Sequence, residues 1–122
     1  MMPGPRSVYF SDKELRCKCG CGLNRMEPEF LSLLDSVRAK YGKPLGLTSA
    51  MRCEKHNKNV GGAKNSAHLF GRAADISIQG GRMRRSVART ADELCIVRIG
   101  LANTFVHIDN DPYLPQDVWW IY

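Results

Sequence analysis

No apolar run in these 122 residues approaches the roughly 18 needed to cross a bilayer. The first eleven residues carry Pro3 and Pro5 and lack the apolar stretch of a secretory signal. The expectation is a chain made in the cytoplasm that leaves, if it leaves, by a route it does not itself encode. Repeats, linkers and low-complexity segments are also missing, and the length suits one core and not two. A single domain over residues 1–122 follows, with residues 1–10 as a poorly ordered lead-in. Aromatic residues are few, at 8%, but 43% hydrophobic and 25% charged residues are the proportions of a folded protein and exclude disorder.

Cysteine is present without the numbers for a disulfide framework: there are five, an odd count, at 17, 19, 21, 53 and 95. Three of them stand in Cys17-Lys18-Cys19-Gly20-Cys21, one residue apart, where zinc ribbons use two to four. Reduced thiols in an N-terminal loop are the expected state, and a second metal site is the less favoured alternative. Acidic residues are outnumbered, 12 against 18 Lys and Arg, for a net charge of +6 and a pI near 9.3. That balance favours an anionic partner, and nucleic acid and anionic cell wall both qualify. Arg82, Arg84, Arg85 and Arg89 concentrate the charge, although a solvated helix face has the same look.

Ser11-Asp12-Lys13-Glu14 has the form of a capping box and predicts a short helical turn. After Glu27-Pro28-Glu29, apolar residues at 30, 33, 34, 37 and 41 mark an amphipathic helix ending at Gly42. Residues 44–49 predict a strand, and 53–60 a short helix closed by Gly61-Gly62. In 73–78, Ala74, Ile76 and Ile78 alternate with Asp75 and Ser77, the period of a strand. Gly80-Gly81 predicts a turn, 83–94 a helix, and 95–99 and 104–109 two further strands. The tail Trp119-Trp120-Ile121-Tyr122 is too apolar for a free end and is expected to pack as an edge strand. Helices and short strands without a βαβ rhythm predict an α+β fold.

Histidine is scarcer than any of these: His56, His68 and His107. His68 precedes Asp75 by seven residues, and Gly71 between them permits the chain to turn back. In the strand 105–109, His107 and Asp109 point to the same side. If the strands of Asp75 and His107 are neighbours, His68, Asp75 and His107 converge, and two imidazoles with one carboxylate suit Zn²⁺. Three protein ligands leave one position open, as catalytic zinc sites do. Asp109 is then the candidate general base. An ordinary hydrogen-bonded His-x-Asp pair is the plainer reading of the same spacing. His56, among Lys55, Asn57 and Lys58, is expected at the surface or behind a ligand.

Several segments occur together and in order: Thr48-Ser49-Ala50-Met51-Arg52-Cys53, His56-Asn57, Val60-Gly61-Gly62-Ala63-Lys64-Asn65-Ser66-Ala67-His68, Gly71-Arg72-Ala73-Ala74-Asp75-Ile76 and Phe105-Val106-His107-Ile108-Asp109. Together they closely resemble the zinc D-alanyl-D-alanine peptidases, peptidase family M15, in the short form of bacteriophage and prophage members. The resemblance runs from about Phe10 to the C-terminus. It implies a compact α+β fold shared with the Hedgehog signalling domain, with a small, mostly antiparallel sheet and packed helices. It implies Zn²⁺ held by His68, Asp75 and His107, with Arg52 polarising a carbonyl or binding a carboxylate and Ser66 touching substrate. The implied reaction is hydrolysis of an amide bond in the stem peptide of peptidoglycan, by a monomer acting on the wall, as a phage lysis enzyme would. Nucleic acid is not an implied partner.

Two positions depart from the family pattern. Ala50-Met51 stands where Gly-Tyr is usual, and Thr104 stands where well-studied branches carry an acidic base. Asp109 takes the role of base in the reading adopted here. In the alternative, Asp109 orients a ligand and the base lies elsewhere, for example at Asp92 or Glu93. A zinc-binding recognition module without catalysis is the rival at the level of function.

Overall fold

Alternation of apolar and polar residues around Asp75 and His107 builds the centre of a five-stranded sheet in the computed structural model, which describes residues 6–122. The strands are β1 (Leu47–Ser49), β2 (Ala73–Ser77), β3 (Arg98–Leu101), β4 (Phe105–Asp109) and β5 (Val118–Ile121). Their order across the sheet is β1-β2-β4-β3-β5. All pairs are antiparallel except β3 with β5, so the expected α+β fold with a mostly antiparallel sheet is what forms. The apolar tail is the parallel edge strand β5.

Four helices accompany the sheet: α1 (Asp12–Leu15), α2 (Pro28–Tyr41), α3 (Glu54–Asn59) and α4 (Gly80–Glu93). Helix α1 begins with the capping box read from the sequence: Ser11 Oγ accepts from the Glu14 N–H, and the Glu14 carboxylate accepts from the Ser11 N–H. Helix α2 has its proline in the first turn and ends at Gly42 with φ 81°, a left-handed cap that glycine adopts without cost. Phe30, Leu31, Leu34 and Val37 are buried along it. They pack with Val87, Ala88 and Ala91 of α4 and with Ala74, Ile76, Ile99, Val106 and Ile108 of the sheet. Ala74, Ile76, Ile99, Val106 and Ile108 thus face one core on the helix side, which leaves the alternate residues of these strands to the opposite face. Among the described residues, no helix is long and apolar enough to cross a membrane.

The boundaries differ from expectation where glycine or helix geometry intervenes. The strand expected over 95–99 begins only at Arg98, because the α4 C-terminus continues into a turn: Leu94 N–H bonds Thr90 O, and Cys95 has φ 63°. The strand expected over 44–49 shortens to its last three residues. Gly80-Gly81, expected as a turn, instead opens α4, with the left-handed kink at Gly80 (φ 86°). Of the lead-in expected over residues 1–10, residues 1–5 lie outside the described part. Beyond it, the Ser7 hydroxyl and the Val8 N–H donate to Asp35 on α2, and Phe10 enters the core.

His68 lies on a 3₁₀ turn, Ala67–Phe70, that Gly71 reverses into β2. Gly71 has φ 69°, and a Cβ there would overlap the backbone of Arg25 and Met26. Gly71→Ala is expected to destabilise the fold by about 2 kcal/mol or more, from left-handed strain plus that overlap. A thermal melt or urea titration measures it; an unchanged midpoint would mean that the turn is not held as described.

Candidate metal centre

The sheet face opposite the helices carries the polar chemistry, and strand register aligns it. Asp75 on β2 is the direct cross-strand partner of His107 on β4, so their side chains stand beside each other on one face. The 3₁₀ turn delivers His68 to the same point. Its first turn is capped by Ser66, whose Oγ accepts the His68 N–H. All three side chains are buried, and one ring nitrogen of each histidine and a carboxylate oxygen of Asp75 lie within 4.8 Å of one another. The convergence expected from the sequence is thus realised.

Hydrogen bonds on the far side of each ring decide what faces inward. His68 Nδ1 lies 2.7 Å from the Ala50 carbonyl. A carbonyl only accepts, so Nδ1 carries the proton and Nε2 presents a lone pair to Asp75 Oδ1 at 3.2 Å. His107 Nε2 donates to Asp109 Oδ2 at 2.6 Å, which leaves Nδ1 to face the same Asp75 oxygen at 2.8 Å. Burial lowers the pKa of His68 and outweighs the opposing pull of Asp75, which keeps this ring neutral. Burial also works against charge on His107, but hydrogen bonds to Asp109 and Asp75 override it and raise its pKa. Asp75 is likewise opposed by burial, yet the two histidines hold its carboxyl well below the usual range. Two imidazole nitrogens and a carboxylate converge at one buried point. Such N,N,O donors suit a divalent metal, and backing by a carbonyl and a carboxylate is how metal-binding imidazoles are oriented. The residues therefore fit a metal ion.

Asp109, the expected base, is among the residues lining the cleft but is 1% exposed and sits behind His107, on the side away from Asp75. Its other oxygen accepts from Arg98 Nε at 2.7 Å and from the Asp111 N–H. With both oxygens engaged, this geometry favours the alternative in which Asp109 orients a ligand. The companion suggestion for the base does not follow: neither Asp92 nor Glu93 lines the cleft, and Glu93 pairs with Arg89 and Lys40.

The three donors lie in the wall of a cleft of about 900 Å³ that Arg52, Ser66 and Thr104 also line. Arg52 is held at three nitrogens: Nε to Ser49 Oγ at 3.0 Å, Nη1 to Asn57 Oδ1 at 3.2 Å and Nη2 to Asp75 Oδ2 at 3.3 Å. The glycine pair after α3 serves this arrangement, since a Cβ on Gly62 would strike the Asn57 amide and the Arg52 guanidinium. Three contributors were not singled out as site residues from the sequence. Arg98 pairs with Asp109 and lies over the Trp120 ring at 4.9 Å, and Trp120 tilts against His107 at 5.2 Å. Tyr122 lines the cleft, and so does His56, which was expected at the surface or behind a ligand. The apolar tail was the only signal for the two aromatics. Nothing local marked Arg98, because its partner is eleven residues away.

A buried His-Asp-His donor set opening on a cleft, with an arginine fixed beside it, is the constitution of a metal-dependent hydrolase. The Peptidase M15 family model matches residues 8–109, and the chain belongs to that family. No curated protein matches the chain.

Asp109→Asn is expected to weaken metal affinity by about 10–100-fold, the usual cost of losing the carboxylate behind a ligating histidine. Competition against a chromophoric chelator measures it. Asp109→Ala should in addition strand Arg98 in the interior and lower folding stability by about 3–5 kcal/mol, read by denaturant titration.

Proposed function

We propose that the chain is a zinc peptidase that hydrolyses an amide bond in the stem peptide of peptidoglycan, as a D,D-carboxypeptidase or an endopeptidase. The observation that carries this reading is the inward-facing donor set of His68, Asp75 and His107 at a cleft wall, in a chain of peptidase family M15. Zinc in such a site supplies Lewis-acid polarisation of a carbonyl and acidifies water toward a pKa of about 7.

The remaining work belongs to the chain's own side chains. Arg52, already fixed by Ser49, Asn57 and Asp75, meets the scissile carbonyl oxygen or the terminal carboxylate without having to be ordered on binding. Ser66 stands on the same wall as a polar contact for the peptide backbone. Trp120 and Tyr122 supply aromatic surface to the same cleft, Trp120 beside His107. Asp109 keeps the proton on His107 Nε2 and so keeps Nδ1 a ligand atom. Proton transfer to the leaving amine falls to a group on the open cleft. His56, which lines that cleft, is the first candidate. The excess of basic residues favours approach to an anionic wall by long-range attraction that salt weakens.

A second reading, a zinc-binding wall or protein recognition module without turnover, has one observation in its favour. Among the described residues lining the cleft, Asp75 and Asp109 are the only carboxylates, and both are engaged.

His68→Ala is expected to abolish release of muropeptides from purified sacculi with zinc present; undiminished release by that variant would sink the proposal. His56→Gln is expected to lower kcat by about 10²–10⁴-fold with metal content unchanged. A wild-type chain that binds zinc yet releases nothing supports the recognition module. Mass spectrometry of the fragments identifies the bond.

A further inference from the structure

The four cysteines at 17, 19, 21 and 53 form a second cluster of donors, away from the histidines. Their Sγ atoms all lie within 4.8 Å of one another. Cys17 to Cys19 is 3.5 Å, and Cys17 to Cys53 and Cys19 to Cys53 are both 3.7 Å. These separations are far beyond the roughly 2.05 Å of a disulfide. They are close to the edge of a tetrahedron of sulfurs about 2.3 Å from a central zinc, which is about 3.8 Å. From these distances and the backbone around them, we propose that Cys17, Cys19, Cys21 and Cys53 bind a structural Zn²⁺ ion that fastens the N-terminal loop to α3.

The backbone is arranged for thiolates. Three amides point at sulfur: Leu23 N–H to Cys21 at 3.5 Å, Cys53 N–H to Cys17 at 3.4 Å and His56 N–H to Cys53 at 3.4 Å. Amide donors to the sulfurs orient them and offset their charge, as outer partners do in metal sites. The one-residue spacing, which does not match zinc ribbons, is accommodated by a tight turn. Gly20 and Gly22 have φ 91° and 77°, and the Cys17 N–H closes the loop on Leu23 O at 2.8 Å. With left-handed glycines after Cys19 and after Cys21, the chain curls enough to bring three successive cysteines to one point. The fourth, Cys53, arrives from the segment that carries Arg52.

Position gives the site its consequence. Cys53 is the N-cap of α3, whose Asn57 holds Arg52, and Lys18 within the cysteine loop lines the cleft. One ion would tie residues more than thirty apart in sequence and brace the wall that bears Arg52. Closing so long a loop with metal bonds contributes folding free energy directly.

The test uses the full chain purified under reducing conditions from zinc-supplemented cells. Elemental analysis should find about two equivalents of zinc in the wild type. His68→Ala/His107→Ala should keep one, and Cys19→Ser/Cys21→Ser, changed at exposed positions, should keep the other. Wild-type protein should also show only Cys95 freely reactive to a thiol reagent, with all five thiols reacting after zinc is stripped. This readout needs no variant to fold. Five freely reactive thiols in untreated protein would overturn the site, as would a native intact mass lowered by disulfide formation. So would a histidine double variant that is folded and free of metal. Loss of the histidine-bound zinc alone would overturn the proposed function and leave this site standing.

Discussion

Asp75 and His107 meet because β2 and β4 pair in one register, and that pairing lies within a longer row. Ser49, Asp75, His107, Gly100 and Trp120 are successive partners across all five strands. A slip of one residue in any central pair would send the row's members to the apolar face and bring core residues out. The hydrophobic core on the helix side therefore fixes the polar site on the other. Burial of Ala74, Ile76, Val106 and Ile108 sets the register, and the ligands inherit it. Gly100 completes the row by leaving room for the Trp120 ring, so even the aromatic wall is a product of strand alignment.

A second layer of contacts converts this alignment into chemistry. Each histidine is gripped at its outer nitrogen, His68 by a carbonyl and His107 by a carboxylate, and Asp109 is in turn held by Arg98. Arg52 is gripped in the same way at all three nitrogens. These groups are oriented before any ligand arrives, so binding need not spend free energy ordering them. The pattern of hydrogen bonds separates the side chains that face the cleft from those that stand behind.

Much of this was legible in the sequence, for reasons that differ from residue to residue. The α2 helix and the central strands follow from periodicity, which reports burial directly. His68, Asp75 and His107 stood out because imidazoles were so few and because the motifs around them resemble a known family. Asp109 was legible as a neighbour of His107, but its hydrogen-bond partners were not. Strand alternation put it on the side of His107, but alternation says nothing about which oxygen meets which nitrogen, and Arg98 approaches from another strand. That Cys53 joins the three N-terminal cysteines was not legible from spacing, because two left-handed glycines curl the loop and the fourth cysteine lies far along the chain. Boundaries failed at 95–99, where a helix C-terminus persisted into the segment expected as strand.

The pairing of Asp109 with Arg98 and of Asp75 with Arg52 sets the charge balance of the cleft floor. Each carboxylate is already matched by a guanidinium. A divalent cation seated among them keeps its charge largely uncancelled by protein. The bound site is consequently a positive focus in a low-dielectric wall, where a charge acts more strongly than in water. It would select ligands by sign before shape, drawing in a peptide by its carboxylate end and holding a cationic one away.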